Sequence, residues 1–172
     1  MITIGDLHGS HRGALDALLR ATAAFTGDEV DVALELFDET YGPDADPAEP
    51  GDYEFVAAFD DGALAGYGCY GATPGTDGTY DLYWIAVDPA RQGKGVGSAL
   101  LAEVERRVGA RAARMLVVET SGRDGYEAAR RFYGAHGYEV TARLRDFYAP
   151  ADDRVVFTRH LGRSPSPAPQ GA

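Results

Sequence analysis

The strongest constraint on the fold of this chain is a glycine-rich turn between a strand-like segment and a helical one. The turn, Arg91-Gln92-Gly93-Lys94-Gly95-Val96-Gly97, follows the apolar segment Thr79–Val87 and precedes a segment whose leucines and valines share one helical face. Glycine tolerates positive φ and lets the backbone approach a ligand, and a helix N-terminus presents unpaired N–H groups. The turn therefore predicts a phosphate or pyrophosphate site, with a turn that binds nothing as the alternative. It matches neither a Walker loop nor the usual dinucleotide fingerprint.

Hydrophobic periodicity predicts the other elements. The expected strands are Ile2–Ile4, Tyr53–Phe59, Leu64–Ala72, Thr79–Val87, Met115–Thr120, Tyr138–Leu144 and Val155–His160. The expected helices are a segment capped by Ser10 and running through Leu19, Asp28–Glu39 with Val32, Leu36 and Phe37 inward, Gly97–Val108 and Gly125–His136. Consecutive strands in the first half favour antiparallel pairing, and the later helices imply crossovers. We therefore predict an α+β domain with one mixed, mostly antiparallel central sheet flanked by helices.

The domain boundaries follow from composition. Residues 1–162 are expected to form a single domain. Residues 163–172 contain several prolines and almost nothing to bury, so they predict a disordered tail.

The net charge limits the expected partners. The formal net charge is −11, from 16 Lys and Arg against 27 Asp and Glu. This charge disfavours nonspecific binding to nucleic acid or to an anionic membrane, and it favours cationic partners, including amines. The single cysteine, Cys69, excludes an internal disulfide and fits a reducing cytoplasm. Because the apolar runs are short and no signal segment opens the chain, we predict a cytoplasmic protein.

A motif near the start of the chain suggests a different function. Gly5-Asp6-Leu7-His8-Gly9 resembles the first metal-binding turn of a metallophosphoesterase, which holds a metal pair with Asp and His. Such a site also needs later Asp, Asn and His ligands in Gly-Asp and Gly-His contexts. After His11 the sequence contains His136 and His160, and neither has that context. We therefore predict no metal site.

Two signatures resemble a known family. Gln92–Gly97 matches the Gln/Arg-x-x-Gly-x-Gly/Ala signature of the GNAT superfamily of N-acetyltransferases, and Leu82–Pro89 resembles the fourth strand of that family. Ala129–Tyr138 resembles its second signature, a helix that carries a tyrosine and is closed by a Gly-aromatic turn. The spacing between the segments also agrees, and together they cover residues 82–138. The resemblance implies the acyl-CoA N-acyltransferase fold, in which Gly5–Ser10 links the first strand to the first helix.

The resemblance implies acetyl-CoA as the acyl donor and an amine as the acceptor. The pyrophosphate would bind the backbone of the glycine turn, and the pantetheine arm would lie along the fourth strand, which in many relatives splays from the next one. The implied cofactor-binding residues are Ile85, Val87, Arg91, Gln92, Gly93, Lys94, Gly95, Val96, Gly97, Ser98 and Tyr126. Tyr126 stands where the family often has an asparagine that contacts the pantetheine arm. Because of this departure, Ser121–Tyr126 is expected to shape the acceptor site.

The resemblance also implies catalytic residues for direct acyl transfer. The amine must be neutral, the oxyanion must be stabilised, and the departing thiolate benefits from a proton. Tyr133 occupies the position of the family's general acid. Glu119, at the end of the fifth strand, and Asp81, at the start of the fourth, are alternative general bases, and deprotonation by solvent is a further alternative.

Aromatic residues are concentrated in the central strands. Alternation along a strand puts Tyr83 on the face opposite Trp84. Such residues either pack in the core or wall the acceptor pocket, where an aromatic face attracts an ammonium group.

The leading functional prediction is an N-acetyltransferase for a small-molecule primary amine. The first alternative is a protein or peptide N-acetyltransferase that acts on an N-terminus or a lysine. It is favoured by Glu119 and by Arg143–Pro150, which resembles the tail segment of ribosomal-protein acetyltransferases. The second alternative is a CoA-binding module without catalysis, against which Tyr133 argues. The resemblance also allows a homodimer formed by joining sheets.

Overall fold

The described part of this computed structural model comprises residues 1–43, 45 and 51–162, and it consists of seven strands, four helices and short 3-10 turns. The strands are β1 (Ile2–Gly5), β2 (Glu54–Asp60), β3 (Ala63–Ala72), β4 (Thr79–Val87), β5 (Met115–Ser121), β6 (Glu139–Ala149) and β7 (Asp152–His160). The helices are α1 (Arg12–Ala21), α2 (Gly27–Tyr41), α3 (Val96–Gly109) and α4 (Glu127–Ala135).

The strands form one sheet in the order β1-β2-β3-β4-β5-β7-β6. Strands β4 and β5 run parallel, and the other neighbouring pairs are antiparallel. The prediction of a mixed, mostly antiparallel sheet flanked by helices is confirmed. The predicted tail over residues 163–172 lies outside the described residues. No helix in the described ranges is both long enough and apolar enough to cross a membrane.

The sheet separates two apolar clusters, because both of its faces are covered. One cluster contains the buried face of α3, with Leu100 and Val104 fully buried. The other contains the buried faces of α1 and α2, with Leu15 fully buried. Strand β2 contributes Val56 to the first cluster and Phe55 to the second, as alternation along a strand requires.

The start of the chain differs from the prediction in one detail. A 3-10 turn over Gly9–His11 precedes α1, so the N-cap residue of α1 is His11, and the prediction that Ser10 caps this helix is wrong. Asp6 forms an ion pair with Arg107 at 2.8 Å, and the His8 backbone N–H donates to His11 Nδ1 at 3.0 Å. Within the described residues, no group of three or more His, Cys, Asp or Glu side chains is arranged to hold a metal ion.

Helix α2 begins one residue earlier than predicted; Phe37 is buried and Leu36 partly buried, as predicted, whereas Val32 is not. Thr26 is its N-cap residue, and the Thr26 and Glu29 side chains each accept a hydrogen bond from the other residue's backbone N–H. The buried side chains of α2 are Val30, Ala33, Leu34 and Phe37. This is the i, i+3, i+4, i+7 spacing of one helical face. Val32 lies outside that face and is 45% exposed, so the prediction that it points inward is wrong.

Strands β4 and β5 pair over part of their length and then separate. Thr79–Leu82 pair with Met115–Val118, and the pairing of the two strands ends there. Next to this point, Tyr83 is the extra residue of a bulge in β4, between the residues that pair with Cys69 and Tyr70. A bulge bends a strand and increases its twist, which accounts for the separation of β4 from β5.

The bulge also overturns the prediction that Tyr83 and Trp84 lie on opposite faces. The Tyr83 ring packs against Tyr53 with the ring centroids 5.3 Å apart, and the Trp84 ring packs against Phe25 at 5.2 Å. Tyr53, Phe25 and Trp84 all border the cluster beneath α1 and α2. The extra residue interrupts the two-residue alternation of the strand, so both rings lie toward the same helices.

Candidate active site

The separation of β4 from β5 opens a cleft of about 1150 Å³. One part, here called the glycine half, is lined by Ile85, Val87, Gln92, Gly93, Gly95, Val96, Gly97 and Ser98. Another part, here called the aromatic half, is lined by Phe25, Glu29, Tyr83, Trp84, Tyr126, Tyr148 and Asp152. The three predicted catalytic residues, Asp81, Glu119 and Tyr133, line the same cleft.

The glycine half owes its shape to two left-handed residues. Gly93 has φ +73° and Gly95, the N-cap residue of α3, has φ +79°. A residue with a Cβ is strained in this conformation. The first hydrogen bond of α3 runs from the Ala99 N–H to the Gly95 carbonyl at 3.0 Å. The N–H groups of Val96–Ser98 therefore precede the helical ladder, an arrangement that is suited to binding an anion.

The side-chain charges near the turn contribute less than the sequence suggests. Arg91 borders the cleft, but its guanidinium forms ion pairs with Asp88 and, at 3.4 Å, with Asp60. Lys94 is exposed and does not line the cleft. All the other predicted cofactor-binding residues do line it. Gln92 donates a hydrogen bond to the Val87 carbonyl at 3.4 Å. The capacity of this end of the cleft to bind an anion therefore rests mainly on backbone N–H groups and the α3 dipole.

Tyr133 lies on α4 with its ring in the apolar cluster beneath α3 and α4. The side chain is 6% exposed, and its ring packs against Phe132, Tyr138 and Phe157 with centroids 5.3, 5.7 and 5.8 Å away. Burial raises the pKa of the Tyr133 hydroxyl above its usual range. The hydroxyl therefore holds its proton more tightly than an exposed tyrosine does, so it could give the proton only to a strong acceptor such as a departing thiolate.

The two predicted bases have different partners. Glu119 accepts a hydrogen bond from the Arg154 guanidinium, which arrives from the neighbouring strand β7. Asp81 accepts a hydrogen bond from the Thr73 hydroxyl at 2.6 Å. A carboxylate has two oxygens with several acceptor sites, so each residue retains the capacity to accept a proton through water.

The aromatic half is assembled from segments that are far apart in the chain. Phe25 precedes α2, Tyr126 precedes α4, and Tyr148 lies near the end of β6. The Tyr126 hydroxyl donates a hydrogen bond to the Ala24 carbonyl at 3.1 Å and so joins the segment before α4 to the segment before α2. This contact supports the expectation that Ser121–Tyr126 shapes the site, and it gives the Tyr126 hydroxyl a protein partner.

Sequence reasoning missed the charged residues of the aromatic half. Asp152 is buried, accepts a hydrogen bond from the Ser121 hydroxyl and pairs with Arg123 at 3.0 Å. Glu29 is oriented by its bond to the Thr26 N–H at 2.7 Å. The Thr26-x-x-Glu29 pattern is a capping-box signal that was available in the sequence. For Asp152 we find no comparable signal, because its position depends on how β6 and β7 pair.

Comparison with known proteins identifies the family. A model of the GNAT acetyltransferase family matches residues 20–138. The solved structure of a GNAT-family protein from Desulfovibrio desulfuricans shares 40% sequence identity and a TM-score of 0.86 with this chain, covering 94% of this chain and 100% of that chain. Among curated proteins, none matches the sequence significantly.

Two more distant structures share the fold. The ribosomal-protein-S18-alanine N-acetyltransferase from Escherichia coli has 19% identity and a TM-score of 0.75, covering 97% of this chain and 98% of that chain. An aminoglycoside 6'-N-acetyltransferase complexed with coenzyme A has 18% identity and a TM-score of 0.72, covering 96% of this chain and 99% of that chain. From the family model and the 40%-identical structure, we conclude that this chain belongs to the GNAT family of acetyltransferases.

Proposed function

We propose that the protein transfers an acetyl group from acetyl-CoA directly to the primary amine of a small molecule. The observation that carries the proposal is one cleft bordered by the separated ends of β4 and β5, the unpaired N–H groups of the glycine turn and Tyr133. Family membership and the CoA complex of a protein with the same fold support CoA as the carrier of the acetyl group.

The glycine half fits the constant part of such a donor. The N–H groups of Val96–Ser98 and the dipole of α3 would bind the pyrophosphate. The edge of β4 near Ile85 and Val87 lies beyond the pairing with β5 and would bond the amides of the pantetheine arm. Acetyl-CoA supplies an activated thioester, and polar backbone groups at the strand gap would stabilise negative charge on its oxygen.

Acetyl transfer requires the movement of one proton. The amine nitrogen forms a bond to the acetyl carbon, the carbon–sulfur bond breaks, and the nitrogen loses a proton while the sulfur needs one. Glu119 and Asp81 are the candidates for taking the amine proton, directly or through water. Tyr133 is the candidate for donating a proton to the sulfur, because it lines the same cleft and has the position that the family resemblance gives to the general acid.

The aromatic half favours an apolar monoamine as the acceptor. Its lining includes several aromatic rings, which attract an ammonium group and remove an apolar substituent from water. Two of the carboxylates at the cleft, Glu119 and Asp152, are already paired with Arg154 and Arg123. Glu29 and Asp81 accept hydrogen bonds from neutral donors, so either could face the single charge of a monoamine, whose substituent would lie on the aromatic wall.

Release of free thiol from acetyl-CoA tests the proposal. Purified protein is given 2-phenylethylamine, spermidine or a short peptide with a free N-terminal alanine, and the acetylated products are identified by mass. We expect kcat/KM for 2-phenylethylamine to exceed that for spermidine by about tenfold, because burial of one aromatic ring contributes at least about 1.4 kcal/mol.

The outcomes separate the candidate functions. Faster turnover of the peptide than of either small amine would favour the peptide acetyltransferase, and faster turnover of spermidine would contradict the apolar acceptor. If acetyl-CoA binds and no amine in a broad panel causes thiol release, the protein is a CoA-binding module instead.

A further inference from the structure

We infer that His136 is a positioning residue that sets the donor direction of the Ser98 hydroxyl, and thereby couples acetyl-CoA binding to protonation of its imidazole. The inference rests on the proposed function, since it takes the phosphates of the donor as the anion at the glycine turn. It concerns a pair of side chains that the mechanism above does not use.

Both ring nitrogens of His136 have a partner. His136 follows α4, and Ser98 lies in the first turn of α3, where it lines the glycine half. The Nδ1 atom is 2.8 Å from the Phe132 carbonyl oxygen, and the Nε2 atom is 2.9 Å from the Ser98 hydroxyl oxygen. The Phe132 ring packs on the imidazole with the centroids 4.3 Å apart. These contacts hold the imidazole against the hydroxyl.

The chemistry of the two partners fixes the proton positions. A carbonyl oxygen only accepts, so Nδ1 carries a proton whether the ring is neutral or charged. In the neutral ring Nε2 carries no proton and accepts the hydroxyl proton of Ser98. In the charged ring Nε2 donates to the Ser98 oxygen instead, and the hydroxyl proton becomes free to point into the cleft.

The state of the ring therefore decides what Ser98 presents to an anion. With neutral His136 the hydroxyl presents lone pairs, which repel a phosphate oxygen. With charged His136 it donates a hydrogen bond to the phosphate, and the positive ring lies directly behind it. The two equilibria are linked. Protonation of His136 increases the affinity for the anion by a certain factor, and binding of the anion increases the proton affinity of His136 by the same factor.

The other charged groups at this location are already paired. Arg159 of β7 donates to the His136 carbonyl at 3.0 Å and pairs with Glu105 of α3 at 2.7 Å. Glu105 also accepts a hydrogen bond from the Tyr138 hydroxyl at 2.9 Å. These contacts reach the backbone of His136 and leave the ring to Phe132 and Ser98.

Calorimetric titration with acetyl-CoA at about pH 5.5 and about pH 8.5 tests the inference, because these values bracket histidine titration. Between the lower and the higher pH, the Kd for acetyl-CoA should increase about tenfold more in the wild type than in Ser98→Ala. This factor corresponds to the loss of one charge-assisted hydrogen bond. The phosphates of acetyl-CoA also titrate, but their contribution to the pH dependence is the same for every variant and cancels in the comparison. His136→Gln should lose the same excess pH dependence. Titrations in buffers of different ionisation enthalpy should show a proton uptake in the wild type that Ser98→Ala and His136→Gln lack.

His160→Gln is the matched control, because it removes an exposed histidine at the end of β7, outside the cleft lining. It should keep the wild-type pH dependence and proton uptake. Equal pH dependence in wild type, Ser98→Ala and His136→Gln would overturn the inference and leave the proposed function intact. Failure of the wild type to bind acetyl-CoA at either pH would instead overturn the proposed function. If His136→Gln does not fold, Ser98→Ala alone decides.

Discussion

The two halves of the cleft are built in different ways. The glycine half presents backbone N–H groups from one contiguous stretch of chain at the start of α3. The aromatic half presents side chains that come from four separate regions: the start of α2 with the segment before it, the bulge region of β4, the turn before α4 and the β6–β7 region. A site built from backbone suits a ligand that never changes, such as the phosphate arm of a common donor. A site built from side chains changes with single substitutions, so we propose that this half determines the acceptor.

The largest expected effect concerns Tyr133, which borders the cleft that both halves share. Tyr133→Phe keeps the ring and removes the hydroxyl, so we expect kcat to fall about 100-fold, the usual size of general acid catalysis. The Kd for acetyl-CoA should not change, since the glycine half is untouched. Steady-state kinetics together with calorimetry measures both quantities.

Tyr138→Phe is the control for that substitution. Tyr138 is also buried, and its ring contacts Tyr133, but its hydroxyl donates to Glu105 and the residue does not line the cleft. This variant should lose stability and keep its kcat. Full activity of Tyr133→Phe would contradict the role of Tyr133 as the general acid.

The second prediction tests whether backbone conformation makes the glycine half. Gly95→Ala places a Cβ on a residue with φ +79° and should cost about 1–2 kcal/mol of stability. We expect the Kd for acetyl-CoA to rise about tenfold, because relaxation of the strain redirects the N–H groups of the turn. Gly75→Ala is the matched control, since Gly75 has φ +73°, has no atom within 4 Å of an added Cβ and lies outside the cleft lining. Similar weakening by both variants would show that the effect is general instability.

The third prediction tests the aromatic half with two adjacent residues. Tyr148 and Phe147 are both 49% exposed, and of the two Tyr148 lines the cleft. We expect Tyr148→Ser to raise the KM for an aromatic amine about fivefold, through loss of ring contact, and to leave the Kd for acetyl-CoA unchanged. Phe147→Ser should leave the KM for the amine near the wild-type value. Equal effects of the two substitutions would contradict the assignment of Tyr148 to the acceptor site.

A smaller effect is expected at Tyr126, which the family resemblance assigns to the donor. Tyr126→Phe removes the hydrogen bond to the Ala24 carbonyl. The KM for the amine should rise about threefold, the effect of one neutral hydrogen bond, while the Kd for acetyl-CoA stays constant. A change in the Kd for acetyl-CoA with a constant KM for the amine would indicate instead that Tyr126 contacts the pantetheine arm.

The smallest effect concerns stability in acid, away from both halves. Hydrogen bonds from Arg106 and Arg107 lower the pKa of Glu103 to about 2, against an unfolded value of about 4.5. Because the folded value is the lower one, the contribution to stability is present above about pH 4.5 and is lost as the pH falls toward about 2. Urea unfolding of wild type and Glu103→Gln should therefore show a larger acid-dependent loss in the wild type. Parallel pH profiles would rule out this contribution.

The same contrast explains what sequence reasoning achieved. The glycine half was predictable because its strand, turn and helix are consecutive, and each has a local signal in composition or periodicity. The face of Tyr83 was not predictable, since the bulge is a property of the pairing between β3 and β4. The end of β6 at Ala149 was missed as well, because every residue of this strand is exposed and no alternation of burial marks its length.

The aromatic half required the tertiary structure. Residues such as Phe25 and Asp152 come together because the sheet order brings distant segments to one cleft. Helix α2 illustrates the limit within a single element, since Val32 and Val30 are chemically equivalent in the sequence and only packing shows which one is buried.

The most direct test of the account is calorimetric titration of the protein with acetyl-CoA in the absence of any amine. We expect one acetyl-CoA to bind per chain, with an affinity that Gly95→Ala weakens and Tyr148→Ser leaves unchanged. Absence of binding at millimolar acetyl-CoA, or weakening by Tyr148→Ser without weakening by Gly95→Ala, would contradict the assignment of the donor to the glycine half.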